Sequence, residues 1–247
     1  MARKGIGREF MERTRYKYLS ASAQQRGLRQ PPLQAPYTGE AEPIDLPAPS
    51  EVEVPEVDLR RAIEARESVR RYAEEALSLG ELSYLLWCTL GVRGVQGSYA
   101  TFRNVPSAGA RHALECYLLV NRVEGLQPGL YRFLALEHKL VAIDLKPDIA
   151  EAITKACWDQ AMVQRCAVTF IWVAVAERMT WRYGQRGYRY MHLDAGHVCQ
   201  NLYLAAESIG GGVCAIAAFS DEDMSRLLGL DREEQFVIYL ATMGKKP

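Results

Sequence analysis

The chain of 247 residues predicts an α+β fold, and three observations carry that reading. Ala167 to Val175 is an unbroken β-branched and aromatic run, the pattern of a central strand covered on both faces. Met191, Ala195, Val198, Leu202, Ala205 and Ile209 recur at intervals of three and four, which makes one apolar stripe on a long helix, and Gly210 stops it. Around these two segments helical and strand patterns mix without a regular βαβ alternation, so a doubly wound α/β sheet is not expected. An apolar fraction of 49% and a charged fraction of 24% are those of an ordinary soluble globular protein, with enough length for a real core.

In chain order, residues 1–55 read as an arm and residues 56–247 as the folded domain. The arm opens basic and polar, with Arg3, Lys4 and Arg8. It then becomes Pro-rich: seven prolines from Pro31 to Pro55 forbid regular helix and favour extended backbone. The arm lies along the body or along a partner subunit, or else is a disordered leader. Asp58 caps a short helix through about Glu64, with Leu59 and Ile63 facing inward. The segment Arg66-Glu67-Ser68-Val69-Arg70-Arg71-Tyr72 follows. If extended, it turns Arg66, Ser68 and Arg70 to one side. Guanidinium forks match phosphate oxygens and the serine adds a compact neutral donor, so the segment is a candidate anion clamp, set against a plain solvated loop.

Ser78-x-x-Glu81 is a capping box, and Leu82, Leu85, Leu86 and Leu90 form the stripe of a helix closed by Gly91. Residues 92–111 read as a loop. Its end, Pro106-Ser107-Ala108-Gly109, is small enough to let backbone approach a flat ligand. Strands are predicted at Leu114–Asn121, Gly129–Leu134 and His138–Ile143, and helical pieces at Pro147–Ala156 and around Asp159–Gln164. Trp181 to Tyr190 interleaves arginine with aromatics and enters the long helix. Val213 to Phe219 is strand-like after three glycines, Ser220-x-x-Asp223 caps a helix, and Gln235 to Met243 is the last strand.

Several function classes fall away. Lys+Arg equals Asp+Glu at 30 each, so no bulk field recruits nucleic acid or an anionic membrane. No apolar run approaches the roughly 20 residues that span a bilayer, and a soluble, cytoplasmic protein is expected. Six scattered cysteines without a C-x-x-C pair suit buried thiols in a reducing compartment, and His192 and His197 are five apart, so no metal is expected. There is no P-loop and no G-x-G-x-x-G after a strand, hence no Rossmann site. No Ser-His-Asp or Cys-His set announces a nucleophile. What remains is a clamp for an anion, close backbone approach to a ring and a lysine-bearing tail, an inventory that suits a flavin mononucleotide.

The chain resembles the nitroreductase-like flavoproteins, and within them the SagB-type branch of thiazole- and oxazole-forming dehydrogenases. The resemblance is carried by Arg66-x-Ser68-x-Arg70, Leu79-x-x-Leu82-Ser83-x-Leu85-Leu86-Trp87 and Pro106-Ser107-Ala108-Gly109-Ala110. Further along it continues in Gly129-Leu130-Tyr131, Asp194-Ala195-Gly196-His197-x-x-Gln200-Asn201-Leu202 and Gly212-Val213-Cys214-Ala215-Ile216. It implies a central, mostly antiparallel sheet flanked by helices, in a homodimer with FMN at the subunit interface. Arg66, Ser68 and Arg70 match positions that hold the phosphate, ribityl chain and pyrimidine edge. Pro106, Ser107, Ala108 and Gly109 match a loop that reaches the ring, usually from the other subunit. Ile216 and Ala217 match the segment whose backbone amide faces the flavin's hydride-accepting nitrogen, and Lys245 a further phosphate contact.

The implied activity is hydride transfer through flavin from NAD(P)H to a small electron-poor acceptor. Alternatives are an azoline dehydrogenase acting on a modified peptide, a flavin carrier or sensor without turnover, and an interaction protein without cofactor. Azoline-oxidising relatives carry a Lys-Tyr pair where this chain has Arg182-Tyr183. Arginine stays protonated and is a poor base, so Arg182 and Tyr183 read as a wall for a charged substrate, with Tyr183 available as a proton donor or acceptor. For the other candidates the plainer readings are an Arg71 pair with Glu74 or Glu75, a turn closed by Ser107, a core role for Cys214 and a solvated end at Lys245 and Lys246.

Overall fold

The computed structural model describes residues 5–231 and 233–247; Arg3 and Lys4 of the basic opening lie outside them. The arm contains helix α1 (Ile6–Arg13) and, after extended backbone, the two-residue strand β1 (Ile44–Asp45). It lies along the body of its own chain. A proline-rich segment is poor in N–H donors, so its carbonyls need outside partners. Arg178 donates to Pro32 O, and Arg132 to Ala35 O and Pro36 O. In return Ala35 N–H donates to Glu115 at 2.8 Å.

Helix α2 (Leu59–Ala65) begins at Asp58, whose carboxylate accepts from Arg61 N–H at 3.0 Å. Leu59 and Ile63, expected to face inward, are 65% and 54% exposed. Four-residue spacing shows that two side chains share a helix face but not which way that face points. Here the helix packs through Ala62 instead. Helix α3 (Leu79–Leu90) carries the full capping box, Glu81 N–H to Ser78 Oγ at 3.1 Å and Ser78 N–H to Glu81 at 2.9 Å. Its four predicted leucines are buried.

Residues 92–103 are a hairpin where a loop was expected, β2 (Val92–Gln96) and β3 (Ala100–Arg103), turned at Gly97 with φ +52°. Mostly exposed side chains on β2 leave little apolar alternation to read. The strands exist because their backbones satisfy each other. The remaining elements are β4 (Leu114–Val120), β5 (Gly129–Leu134), β6 (Lys139–Asp144), α4 (Ile149–Ala156), α5 (Met162–Arg165) and β7 (Val168–Val175). After them come α6 (Ala176–Tyr183), α7 (Gly187–Ser208), β8 (Gly211–Ile216), α8 (Asp221–Leu227) and β9 (Gln235–Lys245). Helix α6 is an addition to the sequence reading, separated from α7 by a 3-10 turn at Gly184–Arg186.

Seven strands form one sheet in the order β1-β6-β5-β4-β7-β9-β8, with every ladder antiparallel. Alternation along β7 divides the core. Phe170 and Trp172 pack with Leu82, Leu86, Val198 and Leu202 of α3 and α7, while Ile171 and Val173 pack with Ile153, Met224 and Leu228 of α4 and α8. The result is a sheet between two helical layers, with β8 at an edge and α7 running over the sheet beside it.

Candidate functional site

The Arg66–Tyr72 segment adds itself to the outer edge of β8. Ser68 makes a parallel bridge to Val213, and Val69 N–H donates to Val213 O at 2.9 Å. Gly212 permits this approach, since a Cβ there would fall 2.6 Å from Val69 Cγ2. Tyr72 anchors the far end, its hydroxyl donating to Val69 O at 2.7 Å and meeting Thr242 Oγ1 at 2.7 Å. Burial pushes the Tyr72 phenol far up, so it stays protonated.

Tyr203 of α7, which sequence reasoning missed, ties the two strands together. Its hydroxyl accepts from Ala215 N–H at 3.0 Å and lies 3.0 Å from Ser68 Oγ. With the tyrosine proton directed at Ser68 Oγ, the serine proton is free to point outward. The Arg66 guanidinium stacks over the Tyr203 ring at 5.4 Å, and Arg70 Nη1 reaches Ser68 O at 3.4 Å. Among the described residues no carboxylate pairs with Arg66 or Arg70. Two guanidiniums and a hydroxyl without an acidic counter-ion form an oxyanion site in waiting. Val213 O and Ala215 N–H face this outer edge, and the two-residue alternation carries it to Ala217, just past the end of the strand beyond Ile216. Arg66, Ser68 and Arg70 thus lie together beside Val213 and Ala215, and Ile216 and Ala217 follow further along the same strand. The signal for Tyr203 was its place directly after the Asn201-Leu202 motif.

Lys245 is engaged elsewhere. Its ammonium donates to the Glu81 carboxylate and, at 2.8 Å, to Ile209 O at the end of α7. It joins the capped start of α3 to the negative end of α7, so a phosphate contact requires it to leave that pair. Cys214 is buried, with its thiol pushed up by burial, in line with the core reading.

The second group of residues stands apart. Ser107 Oγ accepts from His112 N–H at 2.9 Å and so closes a turn. Ala108 N–H reaches Asp194 of α7 at 3.4 Å. Burial raises the Asp194 carboxyl, although Ser107 and Ala108 donate to it. Gly109, at φ +57°, lies against the Arg182-Tyr183 pair: a Cβ there would sit 2.9 Å from Arg182 Nε. Pro106 is exposed beside it. Asp194 and Tyr203 are nine positions apart on α7, about 13 Å along the axis. The loop at 106–109 and the Arg66–Arg70 cluster therefore meet different stretches of α7.

The fold and the two clusters define a class, and the comparisons name it. The nitroreductase family model matches residues 63–245, and the chain belongs to the nitroreductase family. The Methanocaldococcus jannaschii protein MJ1384 is 34% identical over 208 residues, covering 84% of this chain and 98% of that one. The trifolitoxin-processing protein TfxB of Rhizobium leguminosarum is 32% identical over 142 residues, 54% of this chain and 38% of TfxB. A nitroreductase structure from Anabaena variabilis superposes with a TM-score of 0.65 at 30% identity. It covers 77% of this chain, which spans only 38% of that longer one. A Desulfovibrio desulfuricans structure in complex with FMN shares the fold, with a TM-score of 0.55 at 16% identity over 77% of this chain and 87% of that one. No helix among the described residues is long and apolar enough to cross a membrane.

Proposed function

We propose that the chain is an FMN-dependent oxidoreductase that passes a hydride equivalent from NAD(P)H to a small electron-poor organic acceptor, as a homodimer. The observation that carries this reading is the set of donors Arg66, Ser68 and Arg70 beside β8, with no carboxylate partner for either arginine among the described residues, in a chain of the nitroreductase family. That donor set fits FMN: guanidiniums for the phosphate, a hydroxyl for the ribityl chain and a cation for the pyrimidine edge. When bound, the flavin supplies the two-electron chemistry. Arg66 and Ser68 hold the phosphate and ribityl end, and Arg70 sets a positive charge where reduced flavin is anionic. The amide of Ala217 orients the ring. In that dimer the loop Pro106–Gly109 would cover the ring from the second copy.

Arg182 orients charge through its guanidinium fork, while Tyr183 carries the hydroxyl that serves proton transfer at this place. Purified protein is expected to be yellow with a releasable FMN, and anaerobic NADH or NADPH to bleach it. A colourless protein that cannot be reconstituted rejects the reading, and a flavin that neither nicotinamide reduces leaves it a carrier or sensor.

A second reading is oxidation of an azoline in a modified peptide, favoured by the similarity to TfxB. The arginine at 182, in place of the lysine of azoline-oxidising relatives, stands against it. Azoline oxidation gained by Arg182→Lys identifies the pair as the discriminator.

A further inference from the structure

The arm passes directly in front of Arg182 and Tyr183 and encloses a cavity with them. Its volume is about 700 Å³, within the range of small-molecule sites, and its arm-side wall is built by Tyr16, Leu19, Ser20 and Gln25. All four residues lie outside residues 63–245, the part that the family model matches.

The wall is held in place on both sides. Tyr16 Oη lies 2.8 Å from Tyr190 Oη, and the Arg186 guanidinium stacks on the Tyr16 ring at 4.3 Å. Arg186 Nη1 donates to Thr14 O at 2.9 Å, and Arg189 Nε to Thr14 Oγ1 at 2.7 Å. Beyond the cavity Gln24 N–H donates to Trp181 O at 2.8 Å, and Trp181 Nε1 to Leu28 O at 2.9 Å. An arm pinned before and after the cavity is a built wall, not a strand of chain lying across a gap.

The charge facing it is not neutralised. Arg182 is exposed and stacks on the Tyr183 ring at 5.7 Å; among the described residues it has no carboxylate partner. Arg111 stands behind it, bonded to the carbonyls of Gly109 and Tyr99, and burial together with the Arg182 charge holds its guanidinium below the usual value. Two neighbouring guanidiniums without an acid attract an oxyanion. The rings of Tyr16 and Tyr183 on the same cavity suit a flat ligand.

We infer that the N-terminal arm completes the substrate site, and that the arm-walled cavity takes a planar ring carrying an oxyanion, which Arg182 recognises. This rests on Arg182 and Tyr183 facing the substrate in the proposed oxidoreductase. The oxyanion belongs either to an acceptor's carboxylate or to a nicotinamide donor's phosphate.

Calorimetry on the full chain separates these sources and does not need turnover. The probes are 4-nitrobenzoate, its neutral methyl ester and nicotinamide mononucleotide. Arg182→Gln is expected to weaken at least one anionic probe about tenfold, or about 1.4 kcal/mol, and the ester less than about twofold. The anion that loses affinity names the source. Ser20→Trp, at an exposed arm position, fills the cavity and is expected to abolish binding of that probe and of the ester, with flavin content and melting temperature unchanged. Equal loss of charged and neutral probes in Arg182→Gln, or full binding in Ser20→Trp, overturns the inference. A chain that holds no FMN but still binds the probes in this pattern rejects the oxidoreductase reading alone.

Discussion

Tyr203 shows how one side chain decides what others can do. By accepting from Ala215 N–H it fixes the edge of β8, and by meeting Ser68 it holds the serine hydroxyl in place. Tyr203→Phe leaves that backbone donor without its partner and is expected to cost about 1–3 kcal/mol of stability, read by denaturant unfolding. Arg66→Ala removes a guanidinium with no acid to release, so flavin occupancy is expected to fall while the melting temperature holds. A mutant that unfolds while keeping its flavin ratio shows the segment to be structural. His112 gives a pH signature. Burial, with Arg103 and Arg111 adding to it, pushes its imidazole down to about 3. The folded state therefore stays neutral at 112 while the unfolded chain, titrating near 6.5, takes up a proton. Stability is expected to fall as pH drops below 6.5, and His112→Asn, which tolerates the positive φ of 43° there, to flatten that limb in melts from pH 7 to 4.5. His138, also pushed down by burial, adds to the slope that remains.

Among the elements, the arm is the one whose role changed most. Its course is set by a buried charge cluster. Arg178 and Arg132 flank Glu115 at 2.5 and 3.1 Å, and the side chains of all three are at most 7% exposed. Burial opposes ionising Glu115, but the two guanidiniums and the Ala35 N–H outweigh it and hold the carboxyl below its usual value. A carboxylate depressed in the folded state stabilises above its unfolded value and loses that contribution as pH falls through the folded one. Glu115→Gln strands two buried guanidiniums and is expected to cost about 3–5 kcal/mol. For a chain of this length that is a fall in melting temperature on the order of 10 °C by calorimetry. Ala35→Pro removes only the arm's donor to Glu115 and is expected to loosen residues 30–36 first, seen as faster local proteolysis.

For the whole molecule, the two site clusters meet α7 about 13 Å apart, and in the proposed homodimer a second copy adds its own loop to the flavin edge by symmetry. Val57, Leu59 and Ile63 form an exposed apolar surface on and before α2. Such a surface suits the interface of the proposed homodimer. Ile63→Asp is expected to shift the protein toward monomer in light scattering and to lower flavin content together with it; a dimer unaffected by the change places the interface elsewhere.

The sequence by itself determined most of the fold. Helix caps, the apolar stripes of α3 and α7 and the strand runs of the sheet are local patterns, and local patterns survive in one dimension. It also put Arg66, Ser68 and Arg70 at alternate positions after a short helix, a pattern that is local as well. The tertiary structure alone decided which face of α2 is buried and that residues 92–103 pair as a hairpin. Only the fold, too, could decide that Lys245 bonds Glu81, that Tyr203 meets Ser68 across 135 positions, and that the arm walls the Arg182 cavity. Each of these depends on contacts between residues far apart in sequence, where spacing carries no information and packing energy makes the choice.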